Sequence, residues 1–564
     1  MTVSDSWLSV SERYSCSYCY KLLSDRWFEA DAAKETSFYL SIYLSIRGHI
    51  QGRRGRSGGD AGGSGDGVRD RSRSPHHQRW KTEAEPDDGV PQPPRFNPKR
   101  TPGVQPPLNM GNPPPGEIFS HFFDAAVFKL LCENTNKNAA KNLEKGTKFI
   151  WTEITPDEMK KFIGMLLYMA VLKLPKISDF WRQQTIFHVP FPATVMSRDR
   201  FMAILSNLHL SDPEKNEEND KKKGTEDYDH LHRVRPLMEL ICVNCKAIYH
   251  PRQHLAVDER MVGTKARLSI KQYMKAKPTK WGLKFFVLAD MNGHTIDFML
   301  YTGKSKWASG KGLSFDVVAG LVNKGYLGSG YKIYMDNFYT TCGTYRVGVP
   351  TTQENALTKK SPRGSIRWIR DRDLLFVKWM DVREVSLCST IHPVYSGDTV
   401  ERWSKTGDGP QQKISVPRPT SATEYNKYMG GVDTSDQMIG TNTVHRKTRR
   451  WPTTVFQHLL DIAVTNSFVI HKTRCASLQE NPMTRQRFQE ELTAHLLGVD
   501  VKNGPQKTPG NKHLPVPTQN LTEPAWGDGA ASSVKRALPG SVRNVVWACV
   551  CSQRGAIALC GESL

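Results

Sequence analysis

Three short stretches of this 564-residue sequence hold carboxylates in settings where they could do chemistry. Asp258 follows the apolar run Leu255-Ala256-Val257, and Asp336 follows Ile333-Tyr334-Met335, so each is expected at a strand end. Ligands bind at strand ends in α/β sheets. Asp433 and Asp436 stand three apart within Met429-Gly430-Gly431-Val432-Asp433-Thr434-Ser435-Asp436-Gln437, which shows both to one face of an expected helix. Converging carboxylates suit a hard divalent cation, Mg2+ or Mn2+, that keeps positions open for phosphate oxygens. Two such ions can activate an attacking oxygen and stabilise a leaving one in phosphodiester chemistry. Taken singly, each aspartate reads first as a surface or capping residue. Glu259 is set aside as a structural or solvent-facing acid, because on a strand it points away from Asp258.

Basic side chains crowd the same region. Lys265, Arg267, Lys271, Lys275, Lys277, Lys280 and Lys284 fall in one stretch, interleaved with Tyr273 and Trp281. Arg446, Lys447, Arg449 and Arg450 form a second patch. The bland reading is a solvated face; the functional one is a positive groove on nucleic-acid phosphates. The chain has 78 Lys and Arg against 56 Asp and Glu, a net +22, which favours a polyanionic partner and excludes an acidic solvating protein. The second patch also suits nuclear import. No run of roughly 18 apolar residues occurs, so no membrane-spanning helix is expected. The N-terminus lacks a basic stretch followed by an apolar one, so it does not read as a secretory signal. Eleven scattered cysteines do not make a disulfide framework, and a reduced, intracellular protein is expected.

The elements that must place these groups follow from periodicity. Residues 1–50 remain unassigned; their single C-x-x-C, Cys16 and Cys19, has no second pair and predicts no zinc site. Residues 51–115 hold 11 Gly and 12 Pro and read as a disordered, arginine-bearing arm. Helical spacing then dominates residues 116–250, beginning with Phe119, Phe122, Phe123, Val127, Leu130 and Leu131. Thr155-Pro156-Asp157-Glu158 predicts a helix start with a capping box. A further helix is expected at Arg200–Leu208, a solvated loop at Asp212–Asp229, and a helix at Leu237–Ile248 with Cys242 and Cys245 buried. Strands are expected at Leu255–Val257, Lys284–Ala289, Phe298–Tyr301 and Tyr331–Met335, with a helix capped by Ser314 before the last. Three strands, a helix and a strand is the opening order of an RNase H-like α/β layer. Strand-like runs recur at Leu374–Met380 and Val385–Leu387, and Trp451–His471 predicts a long amphipathic helix.

Val257-Asp258-Glu259-Arg260, Tyr334-Met335-Asp336-Asn337-Phe338-Tyr339 and Gly430-Gly431-Val432-Asp433-Thr434-Ser435-Asp436-Gln437 closely resemble the three catalytic blocks of piggyBac-type DNA transposases. His445-Arg446-Lys447-Thr448-Arg449-Arg450-Trp451 resembles that family's post-catalytic segment. The resemblance implies an α/β fold. An RNase H-like catalytic core (251–346 and 423–475) would carry an inserted β-rich segment (347–422). A helical dimerisation and DNA-binding domain (116–250) and the disordered arm would precede the core; a helical segment (476–500) and a low-complexity tail (501–564) would follow it. The implied activity is cutting and joining duplex DNA at TTAA targets, in the nucleus, with a divalent metal and with a homodimer open. Asp258, Asp336 and Asp433 would be the metal-binding triad, and Asp436 the fourth acid beside it.

The sequence departs from that pattern twice. Cys342-Gly343-Thr344-Tyr345-Arg346 resembles the family's next strand, parallel to the Asp336 strand, yet about five residues separate the two, whereas a parallel crossover takes a dozen or more. A helix is expected to be missing there, which leaves catalysis open. At the other end, Cys549, Cys551 and Cys560 cannot complete a four-ligand zinc site, so no zinc-binding end-recognition domain is expected. Three functions follow: an active transposase, a derivative that binds DNA without cutting it, and a non-catalytic scaffold.

Overall fold

The computed structural model describes residues 79–501 apart from 184, 276, 304–308, 311, 337, 340–354 and 405–410. The short connection at Thr340–Arg346 and Cys16, Cys19, Cys549, Cys551 and Cys560 lie outside the described residues. Two compact units divide the chain, one formed by Met1–Gln92 with Thr340–Ser421, the other by Pro93–Tyr339 with Ala422–Leu564.

Residues 79–115 correct the expectation of a disordered arm. They form three two-residue strands, β1 (Lys81–Thr82), β2 (Asn97–Pro98) and β3 (Gly103–Val104). The cause is apolar anchoring that a Gly and Pro count does not weigh: Trp80 and Leu108 are almost wholly buried. Proline suits such short edge strands, which need few ladder donors.

In the larger unit the expected helices form as α1 (Pro115–Ser120), α2 (Ala125–Glu144), α3 (Pro156–Leu172) and α4 (Arg198–Asn207). Thr155 Oγ1 caps α3 by accepting the Glu158 N–H at 3.3 Å. The Glu158 carboxylate itself takes the Arg200 fork, with two bonds of 2.7 Å that tie α3 to α4. The stretch expected as a solvated loop contains α5 (Pro213–Lys221). Asp212 caps it and Pro213 occupies its first turn, a start signal that the density of charges concealed. Those charges are used locally, as in the Lys137–Asp212 pair at 2.7 Å. Then α6 (Arg235–Ile248) buries Cys245 and half-buries Cys242.

The sheet follows. After β4 (Tyr249–His250), paired with β3, come β5 (His254–Gly263), β6 (Gln272–Tyr273), β7 (Trp281–Asp290) and β8 (Thr295–Leu300). Antiparallel β5 and β7 set Asp258 opposite Val287, and β6 and β8 both pair with β7. The next helix, α7 (Leu313–Leu321), begins at Gly312 with no side-chain cap; Ser314, expected as its cap, is buried inside the first turn. β9 (Gly328–Ser329) joins β2, and β10 (Lys332–Met335) lies parallel to β5, from Lys332 opposite His254 to Met335 opposite Val257. The four strands read from periodicity occur in the expected order; the two-residue β6 and β9 are additional, and β5 runs straight through Asp258, so only β10 ends at its aspartate.

Alternation along β5 feeds two cores. Ala256 and Val262 join the main core, while Leu255 and Val257 pack with Phe286, Leu288, Val317 and Leu321 on the other face. Later helices include α8 (Gly431–Thr441), α9 (Trp451–Ser477) and α10 (Arg485–Leu497). α9 was expected to be amphipathic, yet both its apolar and its polar sides are buried, so it is a central helix whose polar groups need internal partners. Asn466 supplies one such match, accepting from the Thr295 N–H and donating to the Thr295 carbonyl, each at 2.8 Å. Among the described residues no helix is long and apolar enough to cross a membrane.

The smaller unit is β-rich. β11 (Ile366–Asp371), β12 (Leu374–Met380) and β13 (Glu384–Ser389) form an antiparallel meander with β1 on its edge, beside a hairpin of β14 (Thr399–Ser404) and β15 (Gln412–Pro417). Trp368 and Trp379 fill its interior, and their indole N–H groups donate to the carbonyls of Thr82 and Pro417, both at 2.8 Å.

Because Phe456 of α9 is wholly buried in the main core, Phe456→Ala is expected to lower unfolding free energy by about 3–5 kcal/mol. Urea denaturation of the full chain measures this, and a loss below about 1 kcal/mol would show that α9 is not central.

Candidate active site

β10 stops at Met335, opposite Val257, so from Asp258 onward the outer edge of β5 has no neighbouring strand among the described residues. The Glu259 N–H on that edge donates to Asp258 Oδ1 at 2.7 Å. Carboxylate oxygens of Asp258, Glu259 and Asp336 all lie within 4.8 Å of one another. Glu259 is therefore a member of the acidic cluster, which corrects its assignment as an outlying acid. Alternation fixes where a Cβ points, but at a vacated edge two neighbouring side chains can both lean over the gap.

The cluster holds negative charge against its tendency to neutralise. Burial pushes the Asp258 carboxyl up to about 6; Lys277 and the Glu259 N–H oppose this, and the charges of Asp336 and Asp433 add to it. Burial likewise raises Asp336, helped by the charge of Glu259 and opposed by the Phe338 N–H, which donates to its Oδ1 at 2.9 Å. Glu259 is raised by burial despite an ion pair with Lys284 at 3.2 Å. Lys277 Nζ stands 3.7 Å from Asp258. Three oxygen donors in a dry site short of positive charge fit a hard divalent cation.

α8 brings the remaining aspartates. It packs on β5 and β7, and its close approach depends on Gly431, where a Cβ would strike the Asp290 carbonyl. Gly293, at φ +84°, clears Met438 and Ser435 of α8 in the same way. Asp433 is exposed in the first turn, and its charge acts on Asp258. Asp436 is ion-paired and hydrogen-bonded to Arg260, whose side chain is 4% exposed. Asp258 and Arg260 share one face of β5, so Asp436 docks α8 two residues beyond the cluster.

The basic residues divide by role. Lys265, Arg267, Lys275 and Lys280 are exposed, and Lys271 lies 5.8 Å from the Trp281 ring centre. Lys277 and Lys284, from the same basic stretch, pair with Asp258 and Glu259. The second patch splits similarly. Arg446 donates to the carbonyls of Leu174 and Pro175 at 3.0 and 3.5 Å. Arg450 donates to the carbonyls of Leu205, Ser206 and Leu208 at 2.9, 2.5 and 3.0 Å. Arg450 thus satisfies carbonyls at the end of α4, which no intrahelical donor reaches. Lys447 and Arg449 face outward. Sequence reasoning missed Glu259, Arg260 and the inward role of Lys277. The usable signal for Arg260 was its place two residues after Asp258 on a strand.

A family model described as Transposase IS4 (DDE_Tnp_1_7) matches residues 114–468. PiggyBac transposable element-derived protein 3 of Homo sapiens is 27% identical over 430 residues, covering 71% of this chain and 67% of that protein. PiggyBac transposable element-derived protein 2 of Homo sapiens is 24% identical over 401 residues, covering 66% of this chain and 64% of that protein. The chain thus spans about two thirds of the length of these relatives. A chain from the cryo-EM structure of a piggyBac transposase synaptic complex with hairpin DNA has the same fold, with a TM-score of 0.57 and 24% identity, covering 71% of this chain and 83% of that one.

The upward shift of Asp258 has a stability consequence with a definite sign. An acid raised from its ordinary 3.8 to about 6 weakens the fold as pH rises from 4 to 6, and the loss is complete above. Asp258→Asn is therefore expected to stabilise the chelator-treated chain at pH 7–8 by up to about 3 kcal/mol, with the gain vanishing near pH 4. Denaturation across pH 4–8 measures it; a pH-independent difference would refute the charge imbalance.

Proposed function

Since the chain belongs to the piggyBac-type transposase family, we propose that it binds duplex DNA and carries a metal-dependent site for cutting and joining phosphodiester bonds at TTAA sequences. The observation that carries this reading is the meeting of Asp258, Glu259 and Asp336 oxygens within 4.8 Å at the vacated edge of β5. Asp258, Asp336 and Asp433 would hold Mg2+ or Mn2+, with Glu259 as a further donor. A bound divalent pair would supply Lewis-acid stabilisation of the attacking and leaving oxygens. The protein's own part is positional. β5 and β10 present two acids from adjacent parallel strands. The Arg260–Asp436 pair fixes α8 and so Asp433. Burial keeps bulk water from screening the site.

The exposed Lys265, Arg267, Lys275, Lys280, Lys447 and Arg449 would contact phosphates, positioning DNA without reading its sequence. We assign the chain to the nucleus, with an RNase H-like core and a homodimer as its working assembly. A second reading, DNA binding without cutting, is favoured by the short connection after Asp336, about five residues where a parallel crossover takes a dozen or more. One ligand displaced by a missing supporting helix is enough to spoil a metal site.

Two measurements on the full chain separate the readings. Duplex affinity is expected to fall steeply with salt, and each of Arg267→Ala, Lys275→Ala and Lys280→Ala to flatten the slope by about 0.9. Affinity no more salt-sensitive than that of an unrelated basic protein would leave only the scaffold reading. Mg2+-dependent nicking of a TTAA-flanked donor, lost in Asp258→Ala and Asp336→Ala, is the outcome of an assembled site. Binding without nicking selects the second reading.

A further inference from the structure

Tyr273 and Trp281 are directly opposed residues at the root of the β6–β7 hairpin. Their rings are 4.8 Å apart at 46°, yet they are 51% and 57% exposed. Aromatic pairs at such cross-strand positions ordinarily contribute by burying each other against a core. Here the pair faces outward beside a lysine-bearing turn. Lys271 lies over the Trp281 ring at 5.8 Å, and Lys275 and Lys280 stand exposed in the turn. The mount is firm. A Cβ at Gly282, beside Trp281, would strike the Val262 carbonyl, so the hairpin root is pressed against β5. The same turn sends Lys277 to Asp258, 3.7 Å away.

The geometry points to Tyr273 and Trp281 as a stacking platform for an unpaired DNA base, with Lys271, Lys275 and Lys280 on the phosphates beside it. This rests on the DNA-binding reading above and deepens it by naming the form of DNA. Every base has a π-face, so such a platform tolerates any sequence. A paired duplex hides those faces in its own stack, so only a base freed from pairing can use it. Along β7, Trp281 is six residues from Val287, the partner of Asp258. That is roughly 20 Å at about 3.3 Å per residue, or about six nucleotides at ~3.4 Å each. The platform would therefore hold a base several nucleotides from the bond addressed by the carboxylates.

The test uses the full chain with duplexes carrying one unpaired 2-aminopurine, moved stepwise along one strand, and the fully paired duplex as reference. The expected result is quenching at one or two positions and roughly tenfold tighter binding of those probes than of the paired duplex. Tyr273→Ala and Trp281→Ala should abolish both effects while lowering the thermal midpoint by no more than about 2 °C, the scale of losing one exposed cross-strand pair; Trp281→Phe should retain both. Salt-sensitive binding with equal affinity for paired and unpaired probes and no quenching would overturn the platform and leave the DNA-binding reading standing. No salt-sensitive binding to any probe would overturn that reading, and the platform with it.

Discussion

Like charges held together away from water are the constraint on which the larger unit turns. Asp258, Glu259 and Asp336 crowd their oxygens within 4.8 Å, where both burial and mutual repulsion favour protonation. A fold keeps such a cluster only if its framework is stiff enough to resist spreading. The stiffness comes from β5, paired on one side by β7 from Leu255 to Gly263 and on the other by β10 as far as Val257. Lys277 and Lys284 relieve part of the repulsion from opposite faces of the strand. The gap left by β10 gives the carboxylates their common space.

Around that strand, each neighbouring element is held close by a particular group. α8 reaches it through two glycines, Gly431 and Gly293, and is locked by the ion pair of Asp436 with buried Arg260. α9 runs through the main core, packing on both α8 and β5, and spends its polar residues on internal bonds. Asp461, for instance, accepts from the Thr443 hydroxyl at 2.6 Å and the Val444 N–H at 2.9 Å, just past the end of α8. The acidic helix is thereby fixed at both ends, which transmits the rigidity of the core to Asp433.

Local signals were legible in the sequence where one residue type answers one backbone need. Thr155 before Pro156 marked a helix start, the apolar run to Val257 marked β5, and the spacing through Cys245 marked α6. The aspartates that meet at the cluster were legible as types in motif context. What could not be read was whatever depends on a neighbour distant in the chain. Glu259 joins the cluster because another strand ends beside it. Arg446 and Arg450 turn inward because carbonyls near residues 174 and 206 need donors. Trp80 and Leu108 order a glycine- and proline-rich stretch by finding cores that composition does not reveal.

The segment from Thr443 to Arg450 behaves like a row of rivets. Arg446 and Arg450 are driven into the helical layer, at Leu174–Pro175 and at the end of α4, while Lys447 and Arg449 project from the other side. A flexible basic tail would let its charges drift to follow a moving counterion. Here the two outward cations sit at a spacing set by the riveted arginines between which they lie. Load applied to them passes into the chain just beyond α3 and into the end of α4 rather than being absorbed by slack.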